Sequence, residues 1–390
     1  MVSCKSPYEP REDSTLLETY ARQHAKGMVL DMGTGSGIQA ITAAHSHKVV
    51  SVLATDIQKS AIDYCKKCIK NGKITFRVSD LFENIPDKKF DTVIFNPPYL
   101  PQDLKLKDLT LDGGKKGYEV LERFLDDAGN FLNTDGIILI VFSSLTKKEK
   151  VDEFIRNNLL EFELLEKQHY FFEDLYVYKI IKSKLLKTLE KKGINNIRYF
   201  AKGKRGIVFV GKHKNKKVAI KIKNPESSAI LRTNNEIKFL KLLNKKNIGP
   251  RLLFYDENYL AYEFVGGKSI IDYFGNNKKE NIKNIIKKIM NQMFVMDKLK
   301  INKGEMSHPQ KHIIIDGKGN PILIDFERAR YARKPSNVTQ FADFLIGNSI
   351  SGALKDKDIK LNKNKIIELS KQYKKQQSKR NFDYIVREIR

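Results

Sequence analysis

A glycine-rich segment near the start of the chain has residue types suited to holding a ligand. Residues 31–37 read DMGTGSG; they directly follow an apolar run and precede a helical stretch. Glycines let a backbone turn sharply and approach a ligand closely at the carboxyl edge of a parallel sheet. The residues expected to contact the ligand here are Asp31, Gly33, Thr34, Gly35 and Gly37. A glycine-rich loop on its own is weak evidence, because such turns also occur without a ligand.

Acids that follow the next two predicted strands define the ligand more closely. Asp56 ends the second strand and can accept hydrogen bonds from the paired ribose hydroxyls of an adenosyl group. Asp80 and Leu81 follow the third strand and can address the adenine edge. A dinucleotide needs the amino end of the helix free for its pyrophosphate, whereas the Asp31 carboxylate suits a cation. The pattern therefore predicts S-adenosylmethionine as the cofactor.

The sequence Asn96-Pro97-Pro98-Tyr99 closes the fourth predicted strand. Its rigid turn can present the Asn96 side-chain oxygen and a neighbouring backbone carbonyl as paired acceptors. Two such acceptors can hold both hydrogens of a planar amide or amino nitrogen, while Tyr99 stacks on its face. We therefore predict that Asn96, Pro97 and Tyr99 orient a flat nitrogen for methyl transfer, with no strong base required.

The second half of the chain carries residues that resemble the nucleotide site of protein kinases. Lys221 ends a strand that follows a glycine turn at 203–206, and Glu236 lies in a helical stretch where it can pair with this lysine. Asp325 follows another apolar run and suits Mg²⁺. The resemblance implies that Lys221, Glu236 and Asp325 bind ATP and Mg²⁺. An ordinary basic hairpin is the alternative.

The segment that would form the catalytic loop, EMSHPQKH at 305–312, departs from the usual kinase pattern. It resembles a group of predicted archaeal Ser/Thr kinases related to the RIO type. We expect Glu305 or His308 to orient a hydroxyl group, and His312 to bind a metal ion together with Asp325. A nucleotide-binding pseudokinase remains the alternative.

The order of apolar runs predicts an α/β chain of two domains. In the first half, short strand-like runs alternate with helical stretches, which is typical of a mostly parallel sheet with helices on both faces. A strand–turn–strand pattern at 207–222 begins a different architecture. We predict a Rossmann-like class I methyltransferase domain at 1–182. A small two-lobed α+β protein-kinase-like domain with a basic helical C-terminus is expected at 183–390.

Composition excludes several classes of protein. Hydrophobic residues make up 41% of the 390 residues, so the chain can bury real cores. The longest apolar run, Ile137 to Phe142, is far shorter than a membrane span. With three cysteines and no secretory leader, a cytoplasmic location is expected.

The net charge of +26 belongs to the second half of the chain. Residues 1–182 contain 25 Lys and Arg against 27 Asp and Glu, whereas residues 183–390 contain 47 against 19. A field of that sign attracts RNA, ribosomes or acidic proteins. Biased codon usage could equally produce this composition, so RNA or ribosome contact is a hypothesis.

The first half resembles the HemK/PrmC-type protein glutamine methyltransferases, especially the short branch of archaea and eukaryotes. The match rests on the motifs above together with an entry segment at Tyr8–Ser14 and a loop at Leu111–Gly114 with Gly117. The resemblance implies that the substrate is the Gly-Gly-Gln glutamine of a class I release factor. It also implies a small zinc-binding activator protein as a partner. The large C-terminal addition departs from the family.

Two rival functions fit the same residues. The turn at Asn96 could accept the amino group of adenine N6 or guanine N2, which would make the protein a nucleic-acid methyltransferase. The basic half could be a module that docks on a ribosome or tRNA and merely holds ATP.

Overall fold

The computed structural model describes residues 9–101, 113–170, 172–224 and 233–389. Tyr8, Leu111, Asp112 and Phe171, which contribute to predicted motifs and strands, lie outside these ranges. The chain divides into two compact units, Met1–Tyr199 and Phe200–Arg390.

The first unit is built on a seven-stranded sheet. Its strands are β1 (Gly27–Met32), β2 (Val49–Asp56), β3 (Ile74–Val78), β4 (Phe90–Phe95), β5 (Leu132–Ser143), β6 (Leu160–His169) and β7 (Asp174–Lys182). Its helices are α1 (Glu12–His24), α2 (Ile38–His45), α3 (Lys59–Cys68), α4 (Glu119–Phe131), α5 (Lys148–Asn157) and α6 (Lys184–Lys191). The strand order is β3-β2-β1-β4-β5-β7-β6. The predicted alternation of strands and helices is confirmed.

The five strands β1 to β5 are parallel, whereas β7 is antiparallel to both β5 and β6. In the register, Met32 lies opposite Thr55 on one side and Phe95 on the other. The loops after β1, β2 and β4 therefore leave the same edge of the sheet. The strand order reverses between β1 and β4, and such a switch point is where open α/β sheets bind their ligands.

Helix α6 belongs to the first unit, although the predicted boundary at 182/183 precedes it. The helix buries Leu186 and Leu189, and its Glu190 lies 2.6 Å from the ammonium of the fully buried Lys182. These contacts tie the helix to the end of β7. The division of the chain therefore differs from the prediction and lies between Tyr199 and Phe200.

The second unit contains most of a five-stranded sheet, followed by helices. The division of the chain falls within the first strand of this sheet, Ile194–Lys202, so only the last three residues of that strand belong to this unit. The sheet order is β11-β12-β10-β9-β8, and the predicted hairpin is confirmed, with Val218 opposite Gly211. The strands are β8 (Ile194–Lys202), β9 (Gly206–His213), β10 (Lys216–Lys223), β11 (Leu252–Tyr255) and β12 (Tyr259–Glu263), then the short β13 (Lys268–Ser269), β14 (Ile301–Asn302), β15 (Ile313–Ile315), β16 (Pro321–Leu323) and β17 (Arg330–Tyr331). The helices are α7 (Thr233–Asn244), α8 (Ile270–Asn276), α9 (Lys279–Lys298), α10 (Asn337–Ile346), α11 (Asn348–Lys355), α12 (Lys363–Lys375) and α13 (Lys379–Ile389).

Helix α9 is the centre of the helical part of this unit. Its buried apolar residues recur at the three- and four-residue spacing of one helix face. They are Ile282, Ile285, Ile286, Ile289, Met290, Met293 and Met296. Among the described helices of the chain, none combines the length and apolar character needed to cross a bilayer.

A buried carboxylate at the end of α9 fixes the start of α10. Asp297 Oδ1 accepts hydrogen bonds from the backbone and side-chain amides of Asn337, at 3.1 and 2.7 Å. Its Oδ2 accepts from Val338 N and from the Tyr373 hydroxyl, at 3.3 and 3.1 Å. One side chain thus satisfies buried donors from two later helices, α10 and α12.

We expect Asp297→Ala to destabilise the second unit by about 3 kcal/mol or more, because it leaves several buried donors without an acceptor. Hydrogen exchange followed by mass spectrometry should show lost protection in α9, α10 and α12, with the first unit unchanged. Asp343→Ala, which removes an exposed acid of α10, is the control. Equal protection in both variants would contradict this role.

Candidate active site

The loop after β1 has a backbone that only glycine adopts easily. Gly33 and Gly37 have φ angles of +65° and +85°. A Cβ on Gly37 would lie 2.4 Å from Ile69 Cδ1, and one on Gly33 would lie 3.3 Å from the Phe95 ring. The predicted glycine turn is therefore required by both conformation and space.

Asp31 supports this loop from below. Its side chain is 1% exposed, and Oδ2 accepts hydrogen bonds from Thr34 Oγ1 at 2.6 Å and Ala40 N at 3.1 Å. Burial raises the pKa of Asp31 to about 7. The described hydrogen bonds of this carboxylate lie within its own loop and the following helix, and the expected contact of Asp31 with the cofactor stays a prediction.

A cavity of about 280 Å³ opens between the loop ends of the sheet. It brings together most of the residues that the sequence singles out, which are Gly33, Thr34, Gly35, Asp56, Asp80, Leu81, Asn96, Pro97 and Tyr99. Asp31 and Gly37 do not line it. The other lining residues include Asp13, Ser14, Met32, Ile38, Gln39, Ile57, Gln58, Ala61, Val120 and Arg123.

Asp56 lies at the cavity with its carboxylate held by backbone amides. Oδ2 accepts from Gly35 N and Oδ1 accepts from Gln58 N, both at 2.9 Å. Burial raises the pKa of Asp56 in spite of these bonds. Because each carboxylate oxygen can accept two hydrogen bonds, this side chain can still take a pair of hydroxyls.

Asp80 is paired with a residue that sequence reasoning missed. Arg123, from α4, lies 2.9 Å from Asp80 Oδ2, and both line the cavity. Phe82, the next residue after Leu81, stacks on Phe124 and Phe131 in the core. Asp80 and Leu81 line the cavity, and their contact with adenine stays a prediction.

The orientation of Asn96 is set by the first helix. Its Nδ2 donates to Asp13 Oδ2 at 3.1 Å and to Ser14 Oγ at 3.3 Å. Its Oδ1 is buried and has no hydrogen-bond partner among the described residues. The Tyr99 hydroxyl also donates to Asp13 Oδ2, at 3.1 Å. An unpaired buried acceptor is costly, so the site is ready for a donor at this oxygen.

Asp13 is the main residue of this site that sequence reasoning did not assign a role. It lies in the first turn of α1, within the segment recognised as an entry motif. The sequence feature that could have indicated a role is an acid of this motif at the start of a helix. Its partner, Asn96, is 83 positions away, so the contact depends on the tertiary fold.

In the second unit, the three predicted nucleotide-site residues come together. Lys221 Nζ lies 2.8 Å from Glu236 Oε2 and 3.2 Å from Asp325 Oδ1. Burial alone would lower the pKa of Lys221, but the two carboxylates outweigh it and raise the pKa. Glu236, 2% exposed, also accepts from Phe326 N at 3.3 Å. The lysine therefore stays charged and fixed.

Of the three predicted residues in the loop at 305–312, two lie at the site and one does not. Glu305 and His312 lie beside Asp325, and the three could hold a metal ion. His308 is exposed and its Nδ1 lies 3.2 Å from Ser307 Oγ, so it does not join this group.

Two further basic residues near this loop were missed by sequence reasoning. Lys303 is buried, its Nζ donates to the Asp325 carbonyl oxygen at 3.0 Å, and burial lowers its pKa to about 8. Arg328 lies 2.6 Å from Glu305 Oε1.

Comparisons with known proteins concern the first unit. The methyltransferase small domain family matches residues 12–172. The putative protein N5-glutamine methyltransferase of Methanocaldococcus jannaschii is 40% identical over an alignment of 156 residues. The match covers 37% of this chain and 77% of that protein. The release factor glutamine methyltransferase of Rhodopirellula baltica is 36% identical over 30% of this chain and 45% of its own length.

Two other similar proteins act on different targets according to their names. The ribosomal protein uL3 glutamine methyltransferase of Bordetella pertussis is 33% identical over 28% of this chain and 42% of its own. The chain thus spans less than half of the Rhodopirellula and Bordetella proteins. The solved Mtq2–Trm112 complex of E. cuniculi, described as methylating the termination factor eRF1, matches 45% of this chain and 98% of its own, at 26% identity and a TM-score of 0.37.

The glycine loop, the acids at successive strand ends and the Asn96 turn all lie within residues 12–172, the range that the methyltransferase small domain family matches. By its identity with the Methanocaldococcus protein and its coverage of that protein, the chain belongs to the protein N5-glutamine methyltransferase family.

Proposed function

We propose that the first unit transfers a methyl group from S-adenosylmethionine to the side-chain amide nitrogen of the Gly-Gly-Gln glutamine in a class I release factor. The observation that carries the proposal is the unpaired Asn96 Oδ1 at the cavity. An amide NH₂ is a donor that matches this acceptor, and its flat shape suits a narrow turn.

The cofactor fits the residues that are present. The cavity of about 280 Å³ beside the glycine loop can admit a ligand, and Asp56 and Asp80 on its wall offer acceptors for ribose hydroxyls and for an amino group. When bound, S-adenosylmethionine supplies the methyl group. Gly33, Thr34, Gly35, Asp56, Asp80 and Leu81 are the residues that would hold it.

The chain's own contribution is positioning. Asp13 holds the Asn96 NH₂ group away from the substrate, so that Oδ1 is the end presented. With Tyr99 held by the same carboxylate, the acceptor and the ring keep a fixed relation. An amide nitrogen has its lone pair delocalised, so orientation and exclusion of water are the main contributions to rate.

The relatives of the chain support a protein acceptor over a nucleobase. The relatives described above are named for glutamine in release factors or in ribosomal protein uL3. A nucleobase amino group at adenine N6 or guanine N2 would satisfy Asn96 equally well, and uL3 is a second protein candidate. By analogy with the Mtq2–Trm112 complex, a small zinc-binding protein is a proposed partner. RNA or ribosome contact through the basic second half is also a proposal.

We further propose that the second unit is a kinase-like domain that binds ATP and Mg²⁺. The supporting observation is the set of contacts among Lys221, Glu236 and Asp325, on a strand of an antiparallel sheet, a helix and a later loop. In kinases, a lysine–glutamate pair positions phosphates and an aspartate holds the metal ion. A domain that holds ATP without transferring phosphate is the competing hypothesis.

Asn96→Ala should lower the rate of methyl transfer by about 10²–10³-fold, because it removes the acceptor that orients the amide. Tritiated S-adenosylmethionine offered separately to release factor, uL3 and total RNA measures this, and cofactor affinity should be nearly unchanged. Asn133→Ala is a matched control, since the Asn133 amide also donates to an aspartate, Asp91, but away from the cavity. Label found only in RNA would refute the glutamine assignment.

Asp13→Ala should lower kcat more than it raises KM, because Asn96 and Tyr99 lose the group that orients them. Asp13→Asn retains one acceptor oxygen and should recover part of the rate. Steady-state kinetics with release factor measures both variants. A purely structural role would instead lower stability in both variants without this partial recovery.

Lys221→Met should abolish phosphate transfer from ATP and leave methyl transfer intact, because it removes the only cation that bridges Glu236 and Asp325 among the described contacts. Phosphate transfer is measured with γ-labelled ATP. Lys223→Met, an exposed lysine two positions along the same strand, is the control. Undiminished transfer in Lys221→Met would refute the kinase proposal.

A further inference from the structure

Glu305, His312 and Asp325 form a compact group of mixed chemistry in the second unit. One ligand atom from each lies within 4.8 Å of the other two. His312 Nε2 is 3.4 Å from Glu305 Oε2, and its Nδ1 is 3.9 Å from Asp325 Oδ2. Donors bound to one metal ion at about 2.1 Å lie roughly 3–3.5 Å apart, so only a small closing movement is needed.

The outer oxygens of both carboxylates are already held by cations. Arg328 binds Glu305 through Oε1, whereas Oε2 is the oxygen near His312. Lys221 binds Asp325 through Oδ1, whereas Oδ2 is the oxygen near His312. Groups that hold the far side of a ligand in this way fix its direction. The near oxygen of each carboxylate thus faces the imidazole ring, Glu305 Oε2 beside Nε2 and Asp325 Oδ2 beside Nδ1.

The imidazole itself has an unused polar atom. His312 Nδ1 is buried and has no hydrogen-bond partner among the described residues. The neighbouring Lys303 does not occupy either carboxylate in the described contacts, because its ammonium donates to the Asp325 carbonyl oxygen. A metal ion beside the imidazole would bind one of its two nitrogens, Nδ1 or Nε2. It would also offset the charges of the Glu305 and Asp325 carboxylates.

We propose that Glu305, His312 and Asp325 form a binding site for a divalent transition metal ion, Mn²⁺ or Zn²⁺, in preference to Mg²⁺. Mg²⁺ takes oxygen ligands, whereas an imidazole nitrogen suits Zn²⁺, and Mn²⁺ combines affinity for carboxylates with acceptance of nitrogen. Two carboxylates and one imidazole are therefore a donor set that discriminates against Mg²⁺. Further positions on the ion stay open to water or phosphate oxygens.

This inference rests on the proposed phosphate-transfer site, and it names Mn²⁺ or Zn²⁺ as the ion held there in place of the Mg²⁺ that the kinase resemblance implies. The metal site can nevertheless be tested without nucleotide. If phosphate transfer fails while Mn²⁺ binds as described, the kinase proposal falls and the metal site stands. If phosphate transfer occurs with Mg²⁺ alone and Mn²⁺ does not bind to His312, the metal site falls and the kinase proposal stands.

The experiment titrates the full chain, freed of metal by a chelator, with Mn²⁺ and follows the free ion by electron paramagnetic resonance. Pulsed measurements on the bound ion should show modulation from an imidazole ¹⁴N. Zn²⁺ should displace Mn²⁺ at comparable concentrations, whereas Mg²⁺ should need a large excess.

His312→Asn replaces the nitrogen by an amide oxygen and should remove the ¹⁴N signal. Loss of an outer-shell partner typically lowers metal affinity by about 10–100-fold. Because His312 is itself a proposed ligand, we expect the Mn²⁺ affinity of this variant to fall by at least that factor. Its Mg²⁺ affinity should not be reduced. His308→Asn, the exposed histidine of the same loop, is the matched control and should retain both. Glu305→Gln is the second variant, and it should weaken Mn²⁺ binding while the ¹⁴N signal of the remaining bound ion persists.

Three results would overturn the proposal. These are no ¹⁴N modulation in the unaltered chain, equal Mn²⁺ affinity in His312→Asn and the unaltered chain, or displacement of Mn²⁺ by an equal concentration of Mg²⁺. Circular dichroism of each variant checks that a lost signal is not a lost fold.

Discussion

The hydrogen bond from Asn96 Nδ2 to Asp13 Oδ2 is the contact on which the methyl-transfer site depends. An amide side chain has a donor end and an acceptor end of nearly equal shape, so nothing in its size determines which end faces the substrate. The carboxylate accepts only, and it therefore selects the donor end. The acceptor end remains at the cavity, and a substrate that brings two N–H groups is the one it suits.

That contact requires the sheet beneath it. Asn96 directly follows β4, and the register of β4 against β1 places it beside the glycine loop, whereas Asp13 comes from a helix that precedes the whole sheet. Asp31 keeps the loop in shape by accepting from Thr34 and Ala40. The second unit uses a related device, because Lys221 and Arg328 each hold one oxygen of an acid and leave the other oxygen beside the His312 ring.

Much of this could be predicted from local pattern. The buried parallel strands are apolar runs bounded by glycine or acid, and the residues after each strand must meet at one edge, so the cavity-lining set followed from the sequence. The acidic strand β6, with its exposed alternate positions, gave no such run and was not predicted. Asp13 and Arg123 were missed because each meets its partner only through tertiary packing. The hydrogen bonds of Asp31 Oδ2 to Thr34 and Ala40 likewise could not be read from spacing.

The buried Lys182 has a practical consequence for separating the two units. Its ammonium is buried at the end of β7, and the Glu190 carboxylate, in the following helix, is its near counter-charge. A fragment that ends at residue 182 would leave the Lys182 ammonium at its new C-terminus without the Glu190 carboxylate. Burial would then favour either deprotonation of this ammonium or fraying of β7. A boundary placed beyond α6 keeps the two charges on the same piece of polypeptide.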